Sequence, residues 1–387
     1  MKYIPYGRQN INEQDIEAVI EVLRSDWITQ GPAIERFERA VAEYCGTKYA
    51  VAVSSATAAL HIACLAAGLK PKDILWTSPN TFVASANCGL YCKAFVDFVD
   101  IDSRTYNISL EKLAEKLKLA KKKGKLPKVL IPVHFAGQSC QMKEIRELTK
   151  EYDITIIEDA AHAIGGKYLG QKIGCCAYSD MTVFSFHPVK IITTGEGGMI
   201  TTNCKDSYEK LMRLRTHGIT RNKSQMEGEP HGPWYYQQIE LGYNYRITDI
   251  QAALGLSQLK RIDEFIKRRH ELANRYNNAL KDLPLILPWQ HPDIYSAYHL
   301  YVIQLDTQKT TKTRRYVFEE LRKRDIGVNV HYIPVHTQPY YKKLGFKEGD
   351  FPAAEEYYSR AITLPLYYDL TEKEQDYVID VLKEVLL

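Results

Sequence analysis

Ile154-Thr155-Ile156-Ile157-Glu158-Asp159-Ala160-Ala161-His162 is a short apolar run that ends in two acids, two small residues and a histidine. Met181-Thr182-Val183-Phe184-Ser185-Phe186-His187-Pro188-Val189-Lys190 is a second such run, and it ends in a lysine. Each reads as a buried strand followed by a polar exit. Working outward, similar runs occur at Tyr49–Val53, Ile74–Thr77, Ala94–Val99, Val129–Val133 and Met199–Thr202. Several are continuously apolar, as strands covered on both faces are. Helical patterns separate them near residues 55–67, 82–92, 109–123 and 142–151, and Ser109 is placed to cap the third. Strand–helix–strand alternation predicts an α/β layer fold with a mainly parallel sheet.

Beyond residue 245 the pattern changes. Residues 247–280 read as one long helix with Ile250, Leu254, Leu259, Ile262 and Phe265 on its apolar stripe. A strand near 298–305, a helix near 313–324, a short strand near 327–331 and a helix near 371–386 follow. The expected organisation is a large domain over 1–246 and a smaller α+β domain over 247–387. Residues 222–241 are rich in Gly, Pro and aromatics and read as a long loop.

The 387 residues carry 51 Lys plus Arg against 47 Asp plus Glu, a net charge of +4. That small, mixed charge offers no footprint for nucleic acid. The lysines of 112–128 fall on the outer face of a helix and its exit loop. No apolar run is long enough for a transmembrane helix and no secretory leader is evident, so a cytoplasmic location is expected. The eight cysteines form no CxxC pair and no zinc spacing, so reduced core thiols and no metal are expected.

Open parallel sheets place ligands beyond the carboxyl ends of their strands. Asp159 and Lys190 leave two such ends, 31 residues apart in the chain. Thr193-Thr194-Gly195-Glu196-Gly197-Gly198 then turns back toward the sheet. After Val53, Ser54-Ser55-Ala56-Thr57 opens a helix, whose N–H groups and hydroxyls suit an anion. Phe82 follows the strand end at Thr77-Ser78-Pro79-Asn80-Thr81. Pyridoxal phosphate (PLP) needs a lysine to bond its aldehyde, a partner for its ring nitrogen, a phosphate pocket and a ring to stack upon. Lys190, Asp159, the Ser55–Thr57 helix start and Phe82 can supply them. A nicotinamide-type GxGxxG and a P-loop are absent. Asp100-Ile101-Asp102 matches a three-letter metal motif of glycosyltransferases, but acids at a strand exit are common turn residues.

Seven stretches carry a resemblance. They are Thr29–Pro32, Ser54–Leu60, Pro79–Ala84, Glu158–His162, Ser185–Lys190, Thr194–Gly198 and Gly242–Arg246. In this order they resemble the DegT/DnrJ-type sugar aminotransferases, of PLP fold type I. Pro5–Arg8, Val133–Gly137 and Val330–Pro334 are similar to the members that serve pseudaminic acid biosynthesis. The resemblance implies that Lys190 bonds the cofactor and shuttles the proton, Asp159 pairs with the pyridine nitrogen, and His162 sits near the phenolic oxygen. Phe82 would stack on the ring. Ala56, Thr57 and Ser185 would hold the phosphate, with Asn244 reaching it from the other subunit of a homodimer. Tyr6, Trp27, Thr29, Ser185 and the His331-Tyr332-Ile333-Pro334 strand end would bind substrate. The implied reaction moves an amino group from glutamate to C4 of a UDP-linked 4-keto-6-deoxy-N-acetylhexosamine. The rivals are an aminotransferase of the perosamine or 4-amino-arabinose type, a PLP-dependent sugar dehydratase, and a non-catalytic sugar-nucleotide-binding regulator. The dehydratases of this family carry histidine where Lys190 stands. A regulator would have no use for Asp159 and Lys190 together.

Overall fold

The strands that end in Asp159 and Ser185 lie side by side. The computed structural model describes residues 3–387. Tyr49–Val53 (β1), Ile74–Thr77 (β2), Phe95–Phe98 (β3), Val129–Ile131 (β4), Thr155–Asp159 (β5), Met181–Ser185 (β6) and Gly198–Thr202 (β7) form one sheet in the order β1-β7-β6-β5-β4-β2-β3. Every pairing from β6 through β5, β4 and β2 to β3 is parallel. β7 alone runs antiparallel, against both β1 and β6. All residues of β6 and β7 are buried, which requires cover on both faces.

The alternation along β1 shows how that cover is divided. Val51 and Val53 join a core with Ala56–Ala66 (α3), Ala84–Tyr91 (α4) and Lys205–Arg215 (α7). Ala50 and Ala52 point to the other face, against Pro32–Cys45 (α2) and Asp249–Leu259 (α8). Leu110–Lys123 and Met142–Thr149 cover Trp76, Leu130 and Ile156 further along the sheet. Ser109 does cap the former helix, accepting the Lys112 N–H.

The helix expected over 247–280 is two helices. α8 ends at Leu259, and Ile262–Leu280 (α9) begins after Arg261, whose φ of −107° and ψ of 5° are not helical. Arg261 is held by Asp15 and Asn10, both at 2.6 Å. The break lets α9 serve two cores: Ile262, Phe265 and Ile266 pack with α2, whereas Leu272, Ala273, Tyr276 and Leu280 enter the core of the C-terminal unit. The expected boundary at residue 246 stands just ahead of α8, whose apolar side belongs to the larger core.

The C-terminal unit is a three-stranded antiparallel sheet, Leu285–Ile286, Tyr301–Leu305 and Ala361–Leu364, covered by α9, Arg314–Lys323 and Glu372–Leu386. Ile4 packs into the same core. The short strand expected at 327–331 is absent. Asn329 makes a single bridge to Thr363, and the chain then bends toward Asn80, whose Oδ1 accepts the Tyr332 N–H at 3.3 Å. Within 222–241 the long loop folds back on itself, and Gln237–Gln238 pairs with Ile219–Thr220.

Candidate active site

The first wall is a helix start. Ser55 caps α3 by accepting the Ala58 N–H at 3.1 Å, leaving the N–H groups of Ala56 and Thr57 in the unpaired first turn. Gly198 sets how deep that turn sits. A Cβ there would stand 2.6 Å from the Ser55 carbonyl carbon and 2.7 Å from the Ala56 nitrogen. Gly198 is also the register partner of Ser185. The helix start therefore rests beside Ser185, as an anion cradle requires.

The second wall is the end of β5. Successive strand residues point to opposite faces, so adjacent acids have different fates. Asp159 faces the cavity, where it accepts the Ser85 hydroxyl at 2.6 Å and the Ala161 N–H at 3.1 Å. Glu158 turns to the other face. His134 Nε2 lies 2.6 Å from it, Thr182 donates at 3.1 Å, and Ser179 donates as well. The Cys140 N–H on His134 Nδ1 puts the imidazole proton on Nε2, facing Glu158. Burial alone would raise the Glu158 pKa, but His134 and the two hydroxyls outweigh it and hold the carboxyl below its ordinary range. Glu158 is thus a buried strut behind Asp159.

Lys190 closes the turn that follows β6, its N–H bonded to the His187 carbonyl at 2.9 Å. Burial lowers its pKa to about 8, with the Asp159 carboxylate opposing the shift. An amine tuned this way can shed its proton near neutrality, which nucleophilic and proton-transfer chemistry needs. His162 accepts the Ala136 N–H on Nδ1 at 3.3 Å and meets the Tyr332 hydroxyl at Nε2, 3.0 Å away. Burial, with the neighbouring charge of Lys190, keeps His162 neutral far below its ordinary range. Burial and Lys190 likewise push His331 down to about 3.

These groups converge on one cavity of about 510 Å³. Of the residues expected to hold PLP, it gathers Ala56, Thr57, Phe82, Asp159, Ser185 and Lys190, with His162 beside them. Tyr6, His331 and Tyr332 stand on the same wall. The donor set fits PLP: the cavity holds free N–H groups, a hydrogen-bonded carboxylate, an amine and the exposed ring of Phe82. Ile333 and Pro334 lead away from the cavity, and Ile333 is exposed. Trp27, Thr29 and Asn244 lie outside their own chain's cavity. Trp27 borders a separate groove with Pro32 and Lys260, Thr29 bridges Thr248, and Asn244 bridges Thr216. Ser85 and His299 reach the cavity although no motif marked them. Ser85 could have been found from its place three residues after Phe82 at a helix start. His299 lies in the apolar stretch Ala297–Tyr301 and gave no signal.

A seven-stranded sheet with one antiparallel strand, and a lysine and an acid at neighbouring strand ends, define a PLP-dependent transferase of fold type I. The chain belongs to the DegT/DnrJ/EryC1/StrS aminotransferase family, whose model matches residues 9–383. The chain is accordingly a PLP-dependent sugar aminotransferase. The chain is 41% identical to the spore coat polysaccharide biosynthesis protein SpsC of Bacillus subtilis, over 99% of this chain and 97% of that one. It is 38% identical to the UDP-4-amino-4,6-dideoxy-N-acetyl-beta-L-altrosamine transaminase of Campylobacter jejuni, over 99% and 97% of the two chains. The structure of Helicobacter pylori PseC, an aminotransferase involved in pseudaminic acid biosynthesis, superposes with a TM-score of 0.90 at 31% identity, covering 100% and 99% of the two chains. Among the described residues no helix is long and apolar enough to cross a membrane, and no cluster of His, Cys, Asp and Glu could hold a metal.

Proposed function

We propose that this aminotransferase moves the amino group of glutamate to C4 of a UDP-linked 4-keto-6-deoxy-N-acetylhexosamine of the pseudaminic acid branch, in the cytoplasm and as a homodimer with shared sites. The observation that carries this reading is the 38% identity, over nearly the whole of both chains, to a transaminase of that sugar. Tyr6, His331 and Tyr332 support it, because they bring hydrogen-bonding groups and aromatic faces to the cavity from two distant parts of the chain.

When bound, PLP supplies the electron sink and carries the amino group between donor and acceptor. Asp159 would pair with its ring nitrogen and Phe82 would lie against its face. The first turn of α3 and Ser185 would hold its phosphate. Lys190 takes the proton from the donor's α-carbon and returns one to C4 of the acceptor, and an amine with a pKa of about 8 can do both. His162, neutral and fixed at both nitrogens, stays a hydrogen-bonding group throughout.

The test offers the holoenzyme and glutamate the L-arabino 4-keto sugar, its D-xylo epimer and a GDP-linked 4-keto sugar, and identifies the amino sugar formed. A site built to hydrogen-bond hydroxyl and acetamido groups can reject analogues by roughly 10⁴-fold. The L-arabino UDP sugar should have the highest kcat/KM. Preference for either of the others overturns the acceptor assignment and leaves the aminotransferase standing.

A further inference from the structure

His299 lines the cavity, yet nothing in the chemistry above uses it. Its residue is 4% exposed, and its Nδ1 is enclosed without a hydrogen-bond partner. Its ring lies against that of His162, with centroids 4.4 Å apart. An unpaired polar atom in such a place is costly, so the ring must be held there by what surrounds it, and Nε2, neither hydrogen-bonded nor enclosed, is the nitrogen open to the cavity.

Two devices hold the ring there. Gly137 has a φ of +105°, and a Cβ on it would stand 2.7 Å from the Tyr298 nitrogen and 2.9 Å from the His299 nitrogen. Glycine alone lets the Tyr298–His299 peptide come so close. Next to it, Ala136 gives its N–H to His162 Nδ1 and takes the Leu300 N–H at 3.2 Å, so one turn positions both histidines. The second device is Arg269 on α9, which is 2% exposed. Its Nη1 donates to the carbonyls of Tyr298, His299 and Leu366 at 3.1, 3.2 and 3.0 Å. Its Nε is enclosed without a partner, and no carboxylate pairs with it among the described residues. A buried cation without a counter-ion leaves positive potential on its surroundings. Arg269 shares a small pocket with Lys190, so that potential falls on the active-site side.

Among the described residues of this chain the cavity wall holds no arginine, and its carboxylates are Asp159, already hydrogen-bonded, and Glu196 at the exposed rim. An aminotransferase must hold the carboxylate of its amino donor within reach of the lysine while leaving that lysine free. We propose that His299, its backbone carbonyl held by Arg269, binds the carboxylate of the amino-acid donor: the imidazole Nε2–H donates and a carboxylate oxygen accepts. Arg269 is a positioning residue that acts through the His299 backbone and its field. The inference rests on the donor half of the proposed function and is independent of the sugar.

The experiment is the half-reaction of the PLP-loaded protein with L-glutamate, without any sugar, followed by absorbance. Calorimetric binding of glutarate, which has carboxylates but no amine, gives a second readout. His299→Ala should raise the glutamate concentration for half-saturation about 10- to 100-fold, the range for one hydrogen bond to a charged group. Glutarate binding should weaken by a similar factor, while the affinity for PLP and its absorbance stay as in the wild type. His299→Gln, which keeps an N–H donor, should recover part of both losses. Unchanged glutamate and glutarate binding in His299→Ala overturns the proposal. So does loss of PLP in both variants, which would make His299 a support of the cofactor site. If the wild type reacts with another amino acid and not with glutamate, only the choice of donor fails, and the same comparison decides the role of His299 with that amino acid.

Discussion

The hydroxyl of Tyr332 stands 3.0 Å from Nε2 of His162, a residue 170 positions earlier in the chain. Because the Ala136 N–H occupies Nδ1, the imidazole proton lies on Nε2 and is donated to Tyr332. The Tyr332 hydroxyl keeps its own proton, since burial and then the Asp159 charge push its pKa up. That proton remains free for a group in the cavity. The segment after Asn329 thus closes on the histidine that follows β5.

Tyr332→Phe should leave this contact unmade while keeping the ring against Phe82 and Phe135. The His162 N–H then loses a buried acceptor, a cost of about 1–3 kcal/mol. We expect kcat to fall by about tenfold or more and Tm to drop by a few degrees. Rapid-mixing kinetics with differential scanning fluorimetry check this. A variant with wild-type kcat would show that the contact is only structural.

The lowered pKa of Lys190 has a consequence for the stability of the cofactor-free protein. Burial disfavours the ammonium, so the folded pKa, about 8, lies below the unfolded value of 10.5. Below pH 8 both states are charged, and the folded state bears the whole desolvation cost. Between pH 8 and 10.5 the unfolded state binds more protons than the folded one, so this contribution to stability rises with pH. Lys190→Met, similar in volume and uncharged, should raise the Tm of the apoprotein at pH 7, and the gain should vanish toward pH 10.5. Thermal melts of both apoproteins across that window supply the measurement. An equal difference at every pH would show that the lysine is not the titrating group.

Gly198→Ala puts a methyl group 2.6 Å from the Ser55 carbonyl. Both partners are backbone, so the helix start must move. Overpacking of this kind costs about 1–3 kcal/mol. The displaced turn is the one whose N–H groups face the cavity, so PLP affinity should drop roughly 10-fold or more while the circular dichroism stays that of a folded protein. PLP titration by fluorescence tests this, and wild-type affinity would remove Gly198 from the cradle.

Asp249 ties together two distant parts of the chain. Its carboxylate accepts the Gly31 N–H at 2.7 Å and the Ala33 N–H at 2.9 Å, capping α2 from 218 positions away. A cap of this type contributes about 0.5–2 kcal/mol. Asp249→Ala should lower Tm by a few degrees and Asp249→Asn by less, with the glutamate half-reaction of the holoenzyme unchanged. Calorimetry on the two variants decides it, and an unaltered Tm for the alanine would leave the cap without energetic weight.

The stretches read as strands in the first 205 residues became strands because their apolar runs are complete: Tyr49–Val53, Ile74–Thr77 and Met181–Ser185 match to the residue, whereas the short run at 327–331 did not form one. Asp159 and Lys190 were legible because a parallel sheet exposes its strand ends. The role of Glu158 was not, since only the pleat separates it from Asp159. The break at Arg261 carries no Gly or Pro, and its causes, Asp15 and Asn10, are some 250 residues distant. His299 was hidden for a similar reason. What makes it notable is a turn at Gly137 and an arginine on α9, which meet only after folding.

Asn244 carries the test of the proposed homodimer. It is exposed, but the residues on either side are anchored. The Tyr243 N–H reaches the Leu214 carbonyl at 2.8 Å and the Tyr245 N–H the Arg215 carbonyl at 3.1 Å. The Tyr245 carbonyl takes the Ser54 N–H at 2.8 Å, at the exit of β1. The rings of Tyr243 and Tyr245 stack 4.9 Å apart. Asn244 is therefore presented outward from a fixed backbone, beside the exposed apolar Leu241 and well outside its own cavity. In a two-fold dimer such a residue can serve the partner's phosphate cradle. Asn244→Ala should raise the PLP concentration for half-saturation about tenfold, the loss of one hydrogen bond to a charged group. Mixing decides where the residue works. A hybrid of Lys190→Ala and Asn244→Ala subunits carries one site with an intact lysine from one chain and an intact asparagine from the other. At a PLP concentration well below half-saturation of Asn244→Ala, co-refolded mixtures should therefore regain PLP binding and turnover that neither variant shows alone. If Asn244 served its own chain, no mixture would recover, because every site would carry one lesion or the other.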